Sequence, residues 1–187
     1  MNTNEVLTAL KDVGLVAISI LALLLSQRST SKAFRQKHDE DEKKEIYKKL
    51  NSFYGPLVQL REISFELYKR LKEGQDDNFR TLITLLRGDK FEGNDLIILQ
   101  QILDISKKID ELIINNSGLV DNDDFRNTLG KVGTHIRLIE LAFNGSLVGQ
   151  EERFKDNIFP SDFDAKIKVE INKLKDRLSI LNKIWNM

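Results

Sequence analysis

An apolar segment near the N-terminus constrains the fold of this chain more than any other feature of its sequence. Residues 13–25 read VGLVAISILALLL, with no charged side chain and with only Gly14 and Ser19 departing from aliphatic character. A helix of a globular domain carries one apolar stripe, whereas a helix that is apolar on every face requires deep burial or lipid. The run alone is short for a bilayer, whose hydrocarbon core needs about 20 residues.

The apolar character continues towards the N-terminus through four more residues, Val6, Leu7, Ala9 and Leu10. A helix over about residues 4–27 measures about 36 Å at 1.5 Å per residue, which is enough to span a bilayer. Lys11 and Asp12 then lie one turn inside the span, where they can snorkel or pair near the interface. The sequence therefore predicts a single transmembrane anchor at residues 1–27, with a buried core helix as the alternative.

Basic residues follow the apolar run and are scarce before it. Four come after it, Arg28, Lys32, Arg35 and Lys37, whereas Lys11 alone precedes it. By the positive-inside rule, this asymmetry places the long C-terminal portion in the cytoplasm. A cleaved signal peptide fits poorly, because a basic N-terminal region and an A-x-A cleavage site are both missing. The chain contains no cysteine, which suits a reducing compartment. We expect a single-pass membrane protein with a cytoplasmic C-terminal domain.

The composition of the remaining chain predicts an all-α fold. About 150 residues follow the anchor, enough for one domain with a real core. The chain has only two prolines and is rich in Leu, Ile, Lys and Glu, which favours helix. Alternating strand patterns are missing. We predict a charged juxtamembrane neck at residues 28–45 and a cytosolic all-helical domain, a helical bundle, at residues 46–187. The formal net charge is zero, so we expect no direct binding of nucleic acid.

Apolar residues recur at helical spacing from residue 46 onwards, and turn residues divide them into segments. Gly55 and Pro56 interrupt the first segment, so a kink or a junction of two helices is expected near Tyr54. Further helices are expected over residues 79–86, from an N-cap at Asn94, over residues 125–143 after a start at residues 121–124, and from a cap at Ser161, with a loop at residues 146–159. The last helix repeats apolar residues like heptad a and d positions, which indicates either a core helix of a bundle or an intermolecular coiled coil.

Signals for catalysis are weak. The chain has two histidines, His38 and His135, and no ligand spacing that indicates a zinc site. It also lacks a phosphate-binding glycine loop and a nucleophile elbow. We therefore expect no enzyme, no catalytic residue, no metal and no cofactor. His135 lies beside an apolar helix face, where a hydrogen-bonded core or rim histidine is the usual case and a catalytic group is the alternative.

Two arginines and two glycines share one face of the helix expected over residues 125–143. Arg126, Gly130, Gly133 and Arg137 fall at positions i, i+4, i+7 and i+11. Each glycine costs about 1 kcal/mol relative to alanine inside a helix, so a close approach is expected there. The approaching group is either another helix or a flat or anionic ligand held between the two arginines.

The predicted anchor carries a stripe of small and polar residues. Its members lie at helical spacing with Leu15 among them: Thr8, Asp12, Ser19, Ala22 and Ser26. In membranes, small residues let helices approach closely and hydroxyl groups hydrogen-bond across the contact. A ring of such helices would turn this stripe towards a lumen, where an intramembrane carboxylate is tolerable. We interpret the stripe as pore-lining or helix-contact residues, with an ordinary monomeric anchor as the alternative.

The layout of the chain resembles a known protein family. A short anchor ending in VGLVAISILALLLSQ, a charged neck and a helical domain containing FYGPL (residues 53–57) are similar to small bacterial accessory membrane proteins. In size and layout the chain resembles the accessory membrane protein of type VI-B CRISPR effectors. This resemblance implies a homo-oligomeric pore that strengthens antiphage defence by disturbing the inner membrane.

That family also carries a degenerate Arg-x(4–6)-His motif of helical nucleases. The nearest pairs in this chain are Arg35 with His38 and Arg126 with His135, and neither has that spacing. No catalytic residue is therefore transferred from the resemblance.

Three functions remain in competition. The first is a membrane-anchored homo-oligomeric effector or pore, whose partners are the lipid bilayer, further copies of itself and a protein of the defence system. The second is a membrane-tethered helical adaptor or sensor that binds a protein or a small ligand. The third is an enzyme, a divergent helical nuclease.

Overall fold

The computed structural model describes the backbone of residues 3–184 and the side chains of residues 22–23 and 25–183. Helix accounts for 80% of the chain and no strand occurs within the described residues, which confirms the predicted all-α class. The chain divides into two compact units, Met1–Glu45 and Ile46–Met187.

Seven α-helices lie within the described residues: α1 Thr3–Lys49, α2 Gly55–Lys72, α3 Thr81–Arg87, α4 Gly93–Asn115, α5 Asp123–Phe143, α6 Glu151–Phe154 and α7 Phe163–Ile184. A π-helical turn, Leu50–Tyr54, joins α1 to α2, and a 3₁₀ turn, Ser117–Leu119, follows α4.

The first unit consists of α1 up to Glu45. Its described side chains are mostly exposed, including the charged stretch at residues 28–45 and the apolar side chains of Leu23, Leu25 and Phe34. Most of the predicted anchor at residues 1–27 falls outside the described side chains, and the anchor stays a prediction. Among the residues that the structure describes, no helix is both long and apolar enough to cross a membrane.

The interruption predicted at Gly55 and Pro56 takes the form of a π-helical turn. Proline has no N–H to donate, and its ring crowds the carbonyl four residues earlier, so a regular α-helix cannot continue through Pro56. The turn widens instead, and the Gly55 N–H donates to the Leu50 carbonyl five residues back. The chain passes from α1 to α2 with all intervening residues still helical.

Gly55 is the residue that this wide turn requires. A Cβ atom at position 55 would lie 2.9 Å from the Leu50 carbonyl oxygen, closer than real Cβ contacts come. The neighbour is a backbone atom, so a side chain could be accommodated only by moving the turn itself.

The core of the second unit forms around the π-helical turn. Phe53 and Leu57 are fully buried and Tyr54 is 2% exposed. The Tyr54 ring stacks on Phe125 of α5 at a centroid distance of 6.0 Å, and Phe125 stacks on Phe163 of α7 at 6.3 Å. An aromatic column thus connects the turn with α5 and α7.

Two smaller clusters complete the packing. One brings α3, α5 and α6 together through four buried residues: Leu82, Leu86, Ala142 and Phe154. The other packs Ile46 at the end of α1 against Leu178 and Leu181 of α7. The heptad-like residues of α7 therefore contact their own chain, as in a bundle helix.

Several predicted helix ends are shifted in the structure. α4 starts at Gly93, without a side-chain cap from Asn94, and α7 starts at Phe163 rather than at Ser161. Asn122 caps α5, since its side-chain oxygen accepts from the N–H groups of Asp124 and Phe125. The short helix α6 lies inside the segment predicted as a loop, because four residues are too few to produce a periodic pattern.

Replacing Gly55 with alanine should destabilise the second unit by about 1–3 kcal/mol, the usual cost of forcing extra atoms into a packed site. Gly130→Ala is the matched control: a Cβ there meets nothing within 4 Å, and alanine is the better helix former. That control should be neutral or stabilising by up to about 1 kcal/mol. Urea unfolding of residues 46–187, followed by circular dichroism, measures both. Equal stability of the Gly55→Ala variant and the parent would contradict the steric role of Gly55.

Candidate ligand pocket

A cavity of about 230 Å³ lies within the second unit, between α2, α4, α5, the start of α3 and the segment at residues 157–159. Most of its lining is aliphatic or aromatic, and a few polar side chains join it. Among the described lining residues there is no aspartate or glutamate.

Helical periodicity brings the lining residues together. Arg61, Phe65 and Tyr68 lie at positions i, i+4 and i+7 of α2 and so share the face of that helix that borders the cavity. α4 contributes Leu99 and Ser106, two turns apart. Adjacent residues of α5, the segment before α3 and the connection after α6 close the remaining sides.

Arg61 is held in place and its charge is balanced. Its Nε lies 3.1 Å from Asp164 Oδ1, and its Nη2 donates to Asp164 Oδ2 at 3.1 Å. The guanidinium also sits 5.0 Å from the ring centre of Phe65 and 4.5 Å from that of Phe159, both within cation–π range. With only 15% of the side chain exposed, Arg61 acts as part of the cavity lining.

Arg80 is in the opposite situation. It precedes α3 in an extended conformation, with φ −140° and ψ 112°, and its side chain is half-buried. Within the described part of the chain, no carboxylate lies within ion-pairing distance of its guanidinium. The cavity therefore borders one arginine with a counter-charge and one without.

His135 of α5 joins the same cavity as a neutral group. Its Nδ1 lies 3.2 Å from the Asn157 carbonyl oxygen and therefore donates to it, because a carbonyl oxygen can only accept. Its ring meets Phe159 edge-on, with centroids 5.7 Å apart. Burial lowers the pKa of His135, and the positive charge of Arg80 lowers it further, against the opposing effect of the hydrogen bond to Asn157.

The two arginines predicted on the glycine face are placed differently. Arg126 pairs with Asp123 at 2.6 Å and also donates to the Val120 carbonyl. Arg137 makes a forked contact with Asp110 of α4, at 3.1 and 3.3 Å from Nη2 and at 3.2 Å from Nε. Each arginine is thus engaged by its own carboxylate, and neither lines the cavity.

The two glycines of that face differ from each other. A Cβ at Gly133 would lie 3.0 Å from Asp110 Oδ1, so Gly133 leaves room for the carboxylate of α4 that holds Arg137. Gly130 faces open space. The close approach is therefore a contact between α4 and α5 at one glycine.

The predicted stripe of the anchor lies mostly outside the described side chains. Thr8, Asp12 and Ser19 belong to that undescribed part. Ala22 and Ser26 are described and are exposed, and the Ser26 carbonyl accepts a hydrogen bond from the Thr30 hydroxyl at 2.9 Å.

The sequence pattern singles out His135 but neither Arg80 nor Tyr68. The sequence predicts Arg80 inside a helix over residues 79–86, but α3 starts at Thr81 and Arg80 lies before it in extended backbone, where helical periodicity assigns no face. Tyr68 had a usable signal, since it follows Arg61 and Phe65 at helical spacing on α2.

A scan of protein-family models finds no match to this chain, and searches of curated proteins and of solved structures find none either. Among the described side chains, no three His, Asp or Glu residues come close enough together to hold a metal ion. The pocket is therefore interpreted from its own geometry.

The stability of the second unit should fall on acidification because of His135. Its pKa is lower in the folded chain than the ordinary value of 6.5, so the unfolded chain binds the proton more tightly. The stabilisation is then complete above pH 6.5 and is lost as the pH falls from there through the folded-state pKa. Urea unfolding at a series of pH values from neutral to mildly acidic should show this loss, and His135→Gln should reduce it. Because His38 belongs to the first unit, the measurements use the full-length protein, in which His38→Gln, at an exposed position, is the control. An unchanged pH profile in His135→Gln would contradict the assignment.

Proposed function

We propose that this protein is a membrane-tethered helical sensor or adaptor whose C-terminal unit binds a small, mostly apolar ligand. The observation that carries the proposal is the 230 Å³ cavity with apolar sides and a few convergent polar groups. That combination is the usual make-up of small-molecule sites, which are concave, largely apolar and supplied with few polar groups.

The size of the cavity limits the ligand. An apolar cavity of about 150 Å³ in another protein holds benzene, so the present cavity suits a ligand of about ten non-hydrogen atoms. Unfilled space beside core side chains such as Leu99 and Ile109 forfeits packing energy. A ligand of this size would recover that energy by filling the space.

The position of α2 in the chain supports a sensing role. α2 contributes Arg61, Phe65 and Tyr68 to the cavity, and it follows directly on the π-helical turn and α1. Single π-helical turns inside α-helices are frequent at functional sites. A ligand that favours one position of α2 thereby acts on the segment that leads to the predicted anchor.

Filling the cavity should abolish ligand binding. Ser106→Phe places a ring into the cavity from α4, whereas Lys108→Phe places the same ring on an exposed position of the same helix. Ligand-observed NMR with a library of fragments of about ten non-hydrogen atoms should give hits for the parent and for Lys108→Phe. The hits should disappear in Ser106→Phe. Thermal unfolding shows whether that variant is still folded, and hits that persist in a folded Ser106→Phe variant would contradict the pocket assignment.

A second proposed function is a homo-oligomeric membrane effector or pore, as the resemblance to the CRISPR-linked accessory proteins implies. The polar stripe of the N-terminal segment favours it, as do the exposed side chains of Leu23 (61%), Leu25 (58%) and Phe34 (74%). Covering exposed apolar side chains with lipid or with another helix removes them from water and is therefore favourable.

The pore proposal predicts assembly through the stripe. The full-length protein should require detergent for extraction and should migrate as a discrete oligomer in mild detergent. Ser19→Leu and Ala22→Leu should weaken that oligomer, because bulk replaces the small residues at a helix contact. Ile20→Leu is the control off the stripe. A monomeric mass by light scattering for the parent, with no effect of Ser19→Leu on liposome leakage, would eliminate the pore and leave the sensor proposal standing.

A further inference from the structure

We propose that the ligand of this cavity is a small monoanion, a carboxylate on an apolar aromatic or aliphatic body, whose negative charge pairs with Arg80. The inference rests on the proposed ligand-binding function and adds the chemical class of the ligand.

The charges around the cavity carry the argument. Arg61 and Arg80 both border it, and Asp164 balances Arg61 through two contacts at 3.1 Å. Arg80 has no such partner among the described residues, and the described lining offers it no carboxylate. A half-buried cation loses hydration without gaining a counter-ion, so an anion entering from solvent supplies what the protein does not.

The number of charges follows from the same groups. His135 hydrogen-bonds to Asn157, and with its lowered pKa it is neutral at pH 7, so it adds no second positive charge. With Arg61 already balanced, one positive charge is left to be matched. A carboxylate has that charge and accepts the forked hydrogen bonds of a guanidinium, which a cation or an alkyl group cannot do.

Hydroxyl groups beside the cavity fit the same anion. Ser64 and Tyr68 of α2 and Ser106 of α4 line it, and none of the three has a hydrogen-bond partner among the described side chains. Each can donate one hydrogen bond to a carboxylate oxygen. Most of the other lining residues, Leu99 and Phe159 among them, are apolar and suit the body of the ligand rather than its charged end.

Two pairs of probes separate charge from shape. 4-Fluorobenzoate and 4-fluorobenzamide have the same number of non-hydrogen atoms and differ in charge, and octanoate and octanamide form the matching aliphatic pair. Binding to the full-length protein in mild detergent is measured by relaxation-edited NMR, with the detergent alone as the blank. At least one carboxylate should bind about 10- to 100-fold more tightly than its amide, the range expected for a hydrogen bond to a charged group.

Arg80→Gln should remove that preference while leaving the amide bound as before. Arg87→Gln is the matched control, since Arg87 lies on α3, pairs with Glu151 and does not line the cavity. It should retain the preference for the carboxylate.

The failures of the two proposals are distinguishable. Equal binding of carboxylate and amide, or a carboxylate preference that survives in Arg80→Gln, overturns the monoanion and leaves a ligand pocket. If neither carboxylate nor amide binds in either pair, the inference and the proposed ligand-binding function are both overturned.

Discussion

The inability of Pro56 to donate a hydrogen bond is the constraint on which the rest of this structure depends. The helix meets it by widening into a π-helical turn, in which the Gly55 N–H reaches the Leu50 carbonyl. The widened turn contains one more residue than an α-turn, which rotates the following helix by about 100° relative to an uninterrupted helix. Within the turn, the adjacent residues Phe53 and Tyr54 are both buried. The same rotation sets the face of α2 that borders the cavity.

A polar contact region lies beside the aromatic column and fixes the turn to α5 and α7. The Lys49 ammonium, 10% exposed, pairs with Asp121, and Asn122 donates to Glu170 of α7 at 2.8 Å. Burial, together with the negative charges of Glu170 and Asp121, raises the pKa of Tyr54 to about 12. Tyr54 is therefore neutral at any physiological pH and stacks on Phe125 without the cost of burying a charge.

The sequence could predict those features that depend on local chemistry. Composition predicted the all-α class, and the lack of an N–H on Pro56 predicted an interruption, but not its form. A kink, a break and a π-helical turn can each accommodate the missing N–H of Pro56. Which of them forms depends on whether Phe53 and Tyr54 can both pack into the core, and the sequence alone does not show that core. Spacing placed Arg126 and Arg137 on one face but could not show that Asp110, on a different helix, engages Arg137.

Arg80 shows why the candidate site was harder to predict than the fold. Helical periodicity assigns a face to a residue within a helix, whereas Arg80 lies in extended backbone before a helix of seven residues. Its position depends on the packing of Leu82 and Leu86 against α5 and α6. That packing is long-range, and no spacing in the sequence encodes it.

The two arginines of the cavity stand beside different hydrophobic clusters, so a ligand that contacts both arginines links the two clusters. Arg61 stands on α2, which the π-helical turn joins to the main core. Arg80 precedes α3, whose buried residues belong to the smaller cluster with α5 and α6. The Gly149 N–H donates to the Leu86 carbonyl at 2.8 Å, and this bond, like the ion pair of Arg87 with Glu151, connects α3 to the segment around α6.

A ligand with its body between α2 and α4 and its charge on Arg80 would contact both clusters at once. Binding shifts the equilibrium between two arrangements of the helices only by the difference in the ligand's affinity for them. A ligand that contacts both clusters binds more tightly to the arrangement in which both are in place. Without the ligand, the half-buried charge of Arg80 destabilises the packing of α3 beside the cavity. With the ligand bound, the same charge is paired and stabilises that packing. The unpaired arginine is therefore the group through which occupancy of the cavity would be converted into a change in the packing of the helices around it.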